Sequence, residues 1–169
     1  MKKIVIALAA LVILLMTNAF IYQKESQIES GRTALLRIGP VDPRSLAQGD
    51  YIQLSYELMR KVPRVRTDSN GAKVQPDDGA LITRVDDDGV AQFVRLDDGT
   101  PIAADELRLA YTYREGQPSL GVDAFFFEEG MSDLYAKARY AEIRVTPEGK
   151  CLLVDLRDED FIPMGMEPR

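Results

Sequence analysis

Histidine is absent from all 169 residues of this chain, and cysteine occurs once, at Cys151. Without histidine there is no Ser-His or Cys-His triad, no His-ligated zinc site, and none of the side chain most often used as a general base at neutral pH. Most familiar hydrolase mechanisms are thereby removed. A single cysteine rules out an intramolecular disulfide, so the domain must be held by its core alone. Cys151 heads the apolar run Cys151-Leu152-Leu153-Val154 and reads as a buried, inert thiol; it is also too far along to be a lipoprotein cysteine. Positive charge is scarce as well: beyond Lys24 the chain holds 27 acidic against 18 basic residues, a net charge near −9. Such a domain is a poor partner for nucleic acid or anionic lipid. The local exception is Arg60-Lys61-Val62-Pro63-Arg64-Val65-Arg66, read as a solvated hairpin end near the membrane or a partner.

What the chain does have is one long apolar run, Ile4 to Tyr22, in which only Thr17 and Asn18 are strongly polar. At about 1.5 Å per residue it approaches the roughly 30 Å hydrocarbon core of a bilayer. Lys2 and Lys3 favour a cytoplasmic N-terminus, with Gln23 onward on the outer side. A cleaved signal peptide is the rival reading, since the unbroken apolar stretch from Ile4 to Met16 falls within signal-peptide range. Against it, Thr17-Asn18-Ala19 is a poor small-residue cleavage site and Phe20-Ile21-Tyr22 continues the run. The expected organisation is residues 1–24 as membrane anchor or signal peptide, 25–32 as polar connector, 33–157 as an extracytoplasmic β-rich domain and 158–169 as a loose tail. A domain of about 145 residues buries roughly 68 % of its unfolded surface, so it requires no metal, cofactor or crosslink.

Alternation at period 2 dominates the outer domain. In Gly49-Asp50-Tyr51-Ile52-Gln53-Leu54-Ser55-Tyr56, a strand continuing to Arg60 puts Asp50, Ile52, Leu54, Tyr56 and Leu58 on a core face, leaving Tyr51 as an aromatic on the less apolar face. A short strand over Thr33–Ile38 precedes it, separated by a proline-bearing loop at 39–48, and the polar stretch 67–78 reads as an excursion. Three Asp-Asp-Gly triplets follow, with glycines at Gly79, Gly89 and Gly99. Calcium loops need oxygens at alternate positions, whereas adjacent aspartates at a strand end diverge, so hairpins explain the triplets better. A two-residue type I′ turn at Asp88-Gly89 would pair Leu81 with Leu96, Thr83 with Val94 and Val85 with Gln92. Glu106–Tyr113 places Leu107, Leu109, Tyr111 and Tyr113 on one face, which reads as core rather than as a stacking platform. Next comes Val122–Phe127, whose three phenylalanines need cover on both faces, by the core on one and by a helix or partner on the other. A helix capped by Ser132 or Asp133 would carry Leu134, Tyr135, Ala138 and Arg139 over about two turns. Ala141–Val145 and Cys151–Leu156 make a final hairpin across Pro147-Glu148-Gly149. The expected fold class is mainly β (α+β): a single antiparallel β-rich domain with one short helix, preceded by one N-terminal transmembrane helix.

The stretch Gly49-Asp50-Tyr51-Ile52-Gln53-Leu54-Ser55-Tyr56 resembles the motif that names the GDYXXLXY protein family of bacterial membrane-anchored proteins. Pro40-Val41-Asp42-Pro43-Arg44 ahead of it adds to the likeness, as does Asp123-Ala124-Phe125-Phe126-Phe127-Glu128-Glu129-Gly130 with Tyr135, Ala138-Arg139-Tyr140 and Glu142 behind it. The resemblance spans residues from about 33 to 157. It implies an extracytoplasmic β-rich domain on one membrane helix, often encoded beside a multi-pass membrane protein, and it implies no catalytic residue.

The expected function is that of a membrane-anchored accessory or interaction domain working with a multi-pass integral membrane protein, held to the lipid bilayer of the cytoplasmic membrane through residues 4–22. Anchoring confines both molecules to one surface, so a modest interface suffices. Candidate interface or ligand residues are Gly49, Asp50, Tyr51, Leu54, Tyr56, Glu128, Glu129 and Arg139; no catalytic, metal or nucleic-acid site is expected. The bland alternative gives Glu128 and Glu129 to the helix N-terminus and pairs Arg139 with one of them. An enzyme reading rests on a likeness of Pro43-Arg44-Ser45-Leu46-Ala47-Gln48-Gly49-Asp50 to signal-peptidase-like Ser-Lys hydrolases. It fails where the nucleophile belongs: Pro40 stands there, Ser45 lies on the wrong side of Pro43, and no motif brings Lys61 to a serine. A cell-envelope ligand-binding module is the third reading. A concave pocket gathering Asp50, Tyr51 and Glu128 would favour a ligand, and a flat aromatic patch a partner.

Overall fold

The computed structural model describes residues 10–22, 31–39, 43–46, 49–64, 66–67, 73–74 and 78–165, with the backbone alone at 43–46, 49–50, 66–67 and 73–74. Residues 10–22 form a helix, α1, whose apolar side chains are exposed, Tyr22 and Met16 the most. Thr17 and Asn18 are absorbed by the helix, donating to the carbonyls of Ile13 and Leu14 at 2.9 Å. Among the described residues no helix is long and apolar enough to cross a membrane. The predicted anchor from Ile4 begins outside them, and α1 as described reaches only about 20 Å.

Most of the other described elements are strands in antiparallel sheets. Strands β1 (Arg32–Arg37), β11 (Tyr140–Val145) and β12 (Cys151–Arg157) form one sheet in the order β1-β11-β12, and β2 (Pro43–Leu46), β3 (Gly49–Gln53) and β10 (Ala124–Phe127) form another in the order β10-β3-β2. The largest holds β6 (Gly79–Val85), β7 (Ala91–Leu96), β8 (Glu106–Arg114) and β9 (Gln117–Ser119) in the order β7-β6-β8-β9. A small ribbon pairs β4 (Arg66–Thr67) with β5 (Lys73–Val74), inside the stretch read as an excursion; most of that stretch lies outside the described residues. One short helix, α2 (Ser132–Tyr135), completes the domain, so its mainly β, antiparallel class stands.

These sheets share one core in which Leu36, Ile52, Leu81, Leu109, Ile143 and Leu156 have no appreciable exposure. A smaller cluster of Leu35, Val90 and Tyr140 sits where β1 meets the β6–β7 turn through a parallel bridge from Leu35 to Val90. Cys151 is half-buried, and burial pushes its thiol up to about 12, so it stays protonated and inert.

Several expected elements differ in form. The long strand to Arg60 ends at Gln53; after the Tyr56 bridge to Ile38 the chain turns into a 3-10 helix over Glu57–Lys61, which replaces the expected hairpin end. Its alternation survives, with Ile52, Leu54, Tyr56 and Leu58 all buried. Within the expected loop 39–48, Pro43–Leu46 forms an edge strand, a position where proline's missing N–H costs no ladder bond. The β6–β7 hairpin keeps the Leu81–Leu96 pair, but a bulge after Ile82 shifts Thr83 onto Phe93 and Val85 onto Ala91. Its turn is not type I′, because Asp88 lacks the positive φ that type requires; Asp86 accepts from the N–H groups of Asp88 and Val90, and Gly89 alone takes φ +83°. The turn with two positive φ values lies instead between β8 and β9, at Glu115 (50°) and Gly116 (80°), where no strand was expected after Tyr113. Neither Ser132 nor Asp133 caps α2, whose N-cap is Met131. The tail is tied down as far as Gly165: Met164 N–H donates to the Leu156 carbonyl at 2.9 Å, and Phe161 packs on Tyr140 at 4.8 Å between ring centroids.

The β11–β12 hairpin lies as predicted, and its turn docks on the large sheet. Ala110 N–H donates to the Gly149 carbonyl at 2.8 Å, and a Cβ on Gly149 would meet the Arg108 carbonyl oxygen at 2.8 Å. Gly99 has nearly the same φ, +82° against +86°, but open space around it. Gly99→Ala is therefore expected to cost only the left-handed strain, about 1 kcal/mol, while Gly149→Ala adds a clash with immovable backbone and costs roughly 2–4 kcal/mol. Urea unfolding of both variants checks this; equal losses would mean that the docking contact is not tight.

Candidate functional site

The signature segment does two jobs set by its alternation. Leu54 and Tyr56 point inward, 5 % and 2 % exposed. The Tyr56 hydroxyl donates to the Val122 carbonyl at 2.5 Å, and burial drives its phenol well above the ordinary range, so it remains a donor at any physiological pH. Leu54 N–H donates to the Asp123 carbonyl at 2.8 Å, so side chain and backbone tie the same loop. These two motif residues hold the fold together. Tyr51 points outward, opposite Phe126 in the β3–β10 ladder, and their rings lie 5.8 Å apart at a 30° tilt. Phe126 is 70 % exposed, while Phe125 and Phe127 pack inward on Tyr135 at 5.1 and 4.8 Å. The predicted cover on both faces of this strand is thus present on one: the helix and core take Phe125 and Phe127, and the other face carries a bare aromatic pair.

Gly49 and Asp50 lie in β3, where Asp50 faces Phe127; the Asp50 side chain falls outside the described residues, as does that of Ser45 in β2. Glu128 and Glu129 are exposed in the turn before α2, and Arg139 is exposed after it. The expected pairing among them is absent: Arg139 donates to the carbonyls of Ala138 at 2.8 Å and Ala136 at 3.4 Å. Lys61 sits exposed at the end of the 3-10 helix.

A concavity lies beside the second half of the motif. A cavity of about 720 Å³ is lined by Gln53, Leu54, Ser55 and Tyr56, by Met59, Arg60 and Arg64 beyond them, and by Arg114, Glu115, Gln117, Pro118, Ser119 and Asp123 across from them. Arg60 and Arg64 belong to the basic stretch visible in the sequence. Arg114 is brought to them by the β8–β9 hairpin, which proline at Pro118 conceals from pattern reading. Tyr51, Glu128, Glu129 and Arg139 do not line it. The aspartates of the third triplet are engaged instead: Asp97 accepts from Arg108 at 2.7 Å and Asp98 from the Thr100 hydroxyl at 2.7 Å, and these bonds hold both carboxyls below the usual range. Among the described residues no cluster of carboxylate, thiol or imidazole groups could hold a metal ion.

A mainly antiparallel β domain with an outward aromatic pair on its signature strand and a basic-lined cavity beside it defines the class of this molecule. The chain belongs to the GDYXXLXY protein family, whose sequence model matches residues 13–156. Comparison with curated proteins and with solved structures gives no match.

One buried carboxyl escaped sequence reasoning because it sits in an ordinary strand pattern. Asp155, 2 % exposed, pairs in register with Glu142; its Oδ1 accepts from Leu156 N–H at 2.7 Å and Gly165 N–H at 3.0 Å, while its Oδ2 has no partner. Glu142 holds Arg157 through two bonds of 2.6 and 2.8 Å. Burial raises the Asp155 carboxyl above its ordinary 3.8, helped by the Glu142 charge and opposed by the two N–H groups and Arg157.

Two outcomes follow from this geometry. Tyr56→Phe leaves the packing intact but removes the donor to Val122, and is expected to lower stability by about 1 kcal/mol in urea unfolding with an unchanged slope. Because the folded state holds the Asp155 proton to higher pH than the unfolded chain, its contribution to stability falls as pH rises from the ordinary carboxylate value through the raised one. Asp155→Asn cannot ionise, so its stability relative to the native protein should improve across that window; a pH-independent difference would show that the carboxyl is not raised.

Proposed function

We propose that this chain is a membrane-anchored, extracytoplasmic accessory domain that docks on a multi-pass integral membrane partner through the outer face of the β3–β10 ladder. The observation that carries this reading is Phe126 stacked on Tyr51: an aromatic 70 % exposed on a hydrogen-bonded strand, its ring against a second, half-buried aromatic, is the kind of anchor that protein interfaces bury. Neither ring of the pair lines the cavity beside the motif, which suits a protein surface better than a small ligand. The apolar run from Ile4 to Tyr22, with its two preceding lysines, supports placement of the anchor in the cytoplasmic membrane with the N-terminus inside. On this reading the domain and its partner share one surface, so the tether supplies effective concentration and a few aromatic contacts supply specificity. Glu128 and Glu129, one and two residues past β10, form the polar rim of the same patch.

The test is crosslinking in living cells, purification of the full-length protein from native membranes in mild detergent, and mass spectrometry of what accompanies it. A stoichiometric multi-pass protein should co-purify, and its yield should fall at least tenfold with Phe126→Ser or Tyr51→Ala while circular dichroism shows the fold retained. Recovery of the protein alone, or the same companions in both folded variants, would overturn the docking surface.

A further inference from the structure

We infer that the cavity beside the signature segment is a binding site for a phosphoryl-bearing ligand, held by Arg60, Arg64 and Arg114. The argument begins with the pairing of charges. The outer domain carries an excess of carboxylates, and several of its arginines meet one: Arg84 meets Asp105 at 2.7 Å, Arg108 meets Asp97 at 2.7 Å, Arg157 meets Glu142 at 2.6 Å. Where no carboxylate is at hand, an oxygen of the fold serves: Arg32 donates to the Glu106 carbonyl, Arg139 to that of Ala138 and Arg144 to the Thr33 hydroxyl. Among the described side chains, the arginines with neither an ion pair nor a hydrogen bond are Arg60, Arg64 and Arg114, and all three line the same cavity. In an acidic domain, chance would scatter unpaired guanidinium groups or leave each beside an acid.

Their placement is structural. Arg60 sits in the last turn of the 3-10 helix, Arg64 shortly after it, and Arg114 at the end of β8 where the positive φ of Glu115 and Gly116 reverses the chain. They come from two elements far apart in sequence, so the concentration of charge belongs to the fold and not to one basic run. Two acids line the same cavity. Asp123 already accepts the Ser119 hydroxyl, and Glu115 is exposed on the turn, so cationic groups remain in excess. Guanidinium forks match the oxygens of a phosphoryl group and hold it with charge-assisted bonds. The cavity's volume of about 720 Å³ exceeds that of a bare phosphate and falls in the usual range for small-molecule sites. Gln53 and Gln117 can donate to further oxygens, and Leu54, Met59 and Pro118 offer an apolar wall to the body of the ligand. The same chemistry could come from a free phosphorylated molecule or from a phospholipid headgroup.

Titration calorimetry on the full-length protein in an uncharged detergent, with inorganic pyrophosphate as probe, tests the site. A saturable isotherm is expected, weakened at least tenfold in the Arg60→Gln/Arg114→Gln double variant, weakened less in Arg64→Gln, and unchanged in Lys137→Gln, an exposed cation away from the cavity. Competition then separates the sources: displacement of pyrophosphate by monomeric short-chain phosphatidylglycerol, and not by the phosphatidylcholine analogue, assigns the site to a headgroup, while bound pyrophosphate that neither lipid displaces assigns it to a soluble ligand. The absence of a saturable signal from pyrophosphate and both lipids, or equal affinity in the native protein and the folded double variant, would overturn the inference.

Discussion

The structure depends on one buried phenol. Tyr56 sits at the point where the signature segment leaves its sheet, and three separate constraints converge on it. Its backbone bridges Ile38 just past β1, its ring lies in the shared core, and its hydroxyl is satisfied by donating to a backbone carbonyl. The acceptor, the Val122 carbonyl, belongs to the segment that leads into β10. A single residue, through its backbone and its hydroxyl, thus couples the β1-β11-β12 sheet to the loop that leads into β10, with Leu54 N–H on Asp123 as a second tie. An apolar residue of the same size would fill the space but leave that carbonyl without its donor, which explains why tyrosine and not phenylalanine serves at this position.

The absence of histidine and disulfides turns out to matter less for stability than for chemistry. The core is continuous across the three larger sheets, and turns are closed by short polar side chains, as Asp86 closes the β6–β7 turn with bonds of 3.2 and 2.8 Å to backbone N–H groups. Several acidic residues are thus spent on turns and on arginines, Asp86 and Asp98 on backbone N–H groups and Asp97 on Arg108. Where a carboxyl is buried without full satisfaction, as at Asp155, the cost is a raised affinity for its proton and not a site.

Much of the fold was legible in the sequence because it rested on alternation, which is local. Ile52, Leu54, Tyr56 and Leu58 are inward as their spacing demands, even though the strand itself gives way to a 3-10 helix at Glu57, since an extended approach and a tight turn can both present alternate residues to one core. Registers were less legible: the bulge after Ile82 has no sequence mark, and it moved each later pair of the hairpin by one. Strands β2 and β9 were hidden by Pro43 and Pro118, which read as breakers but lie on sheet edges where no ladder bond is lost. Of the candidate site, Tyr51 could be singled out because an aromatic on a polar face is anomalous; the cavity could not, because Arg114 reaches Arg60 and Arg64 only through tertiary packing.

The signature segment places both proposed surfaces on one stretch of backbone. Tyr51, Gln53 and Ser55 alternate with the buried Ile52, Leu54 and Tyr56, so the face that Tyr51 shares with Phe126 runs on directly into Gln53 and Ser55, which line the cavity. The partner patch and the ligand cavity are therefore neighbours along a strand whose inward side is pinned to the core. A rigid inward side leaves little freedom for the outward side to move independently, so a ligand held near Gln53 would sit against the same backbone that presents Tyr51. Any coupling between the two surfaces would have to pass through that shared strand and through the Tyr56 joint, because β10 is tied to β3 by the ladder itself and the loop before it hangs on the Val122 carbonyl. The motif is thus best understood as a mount: its inward residues fix the position of the outer face on which both proposed recognition surfaces lie side by side.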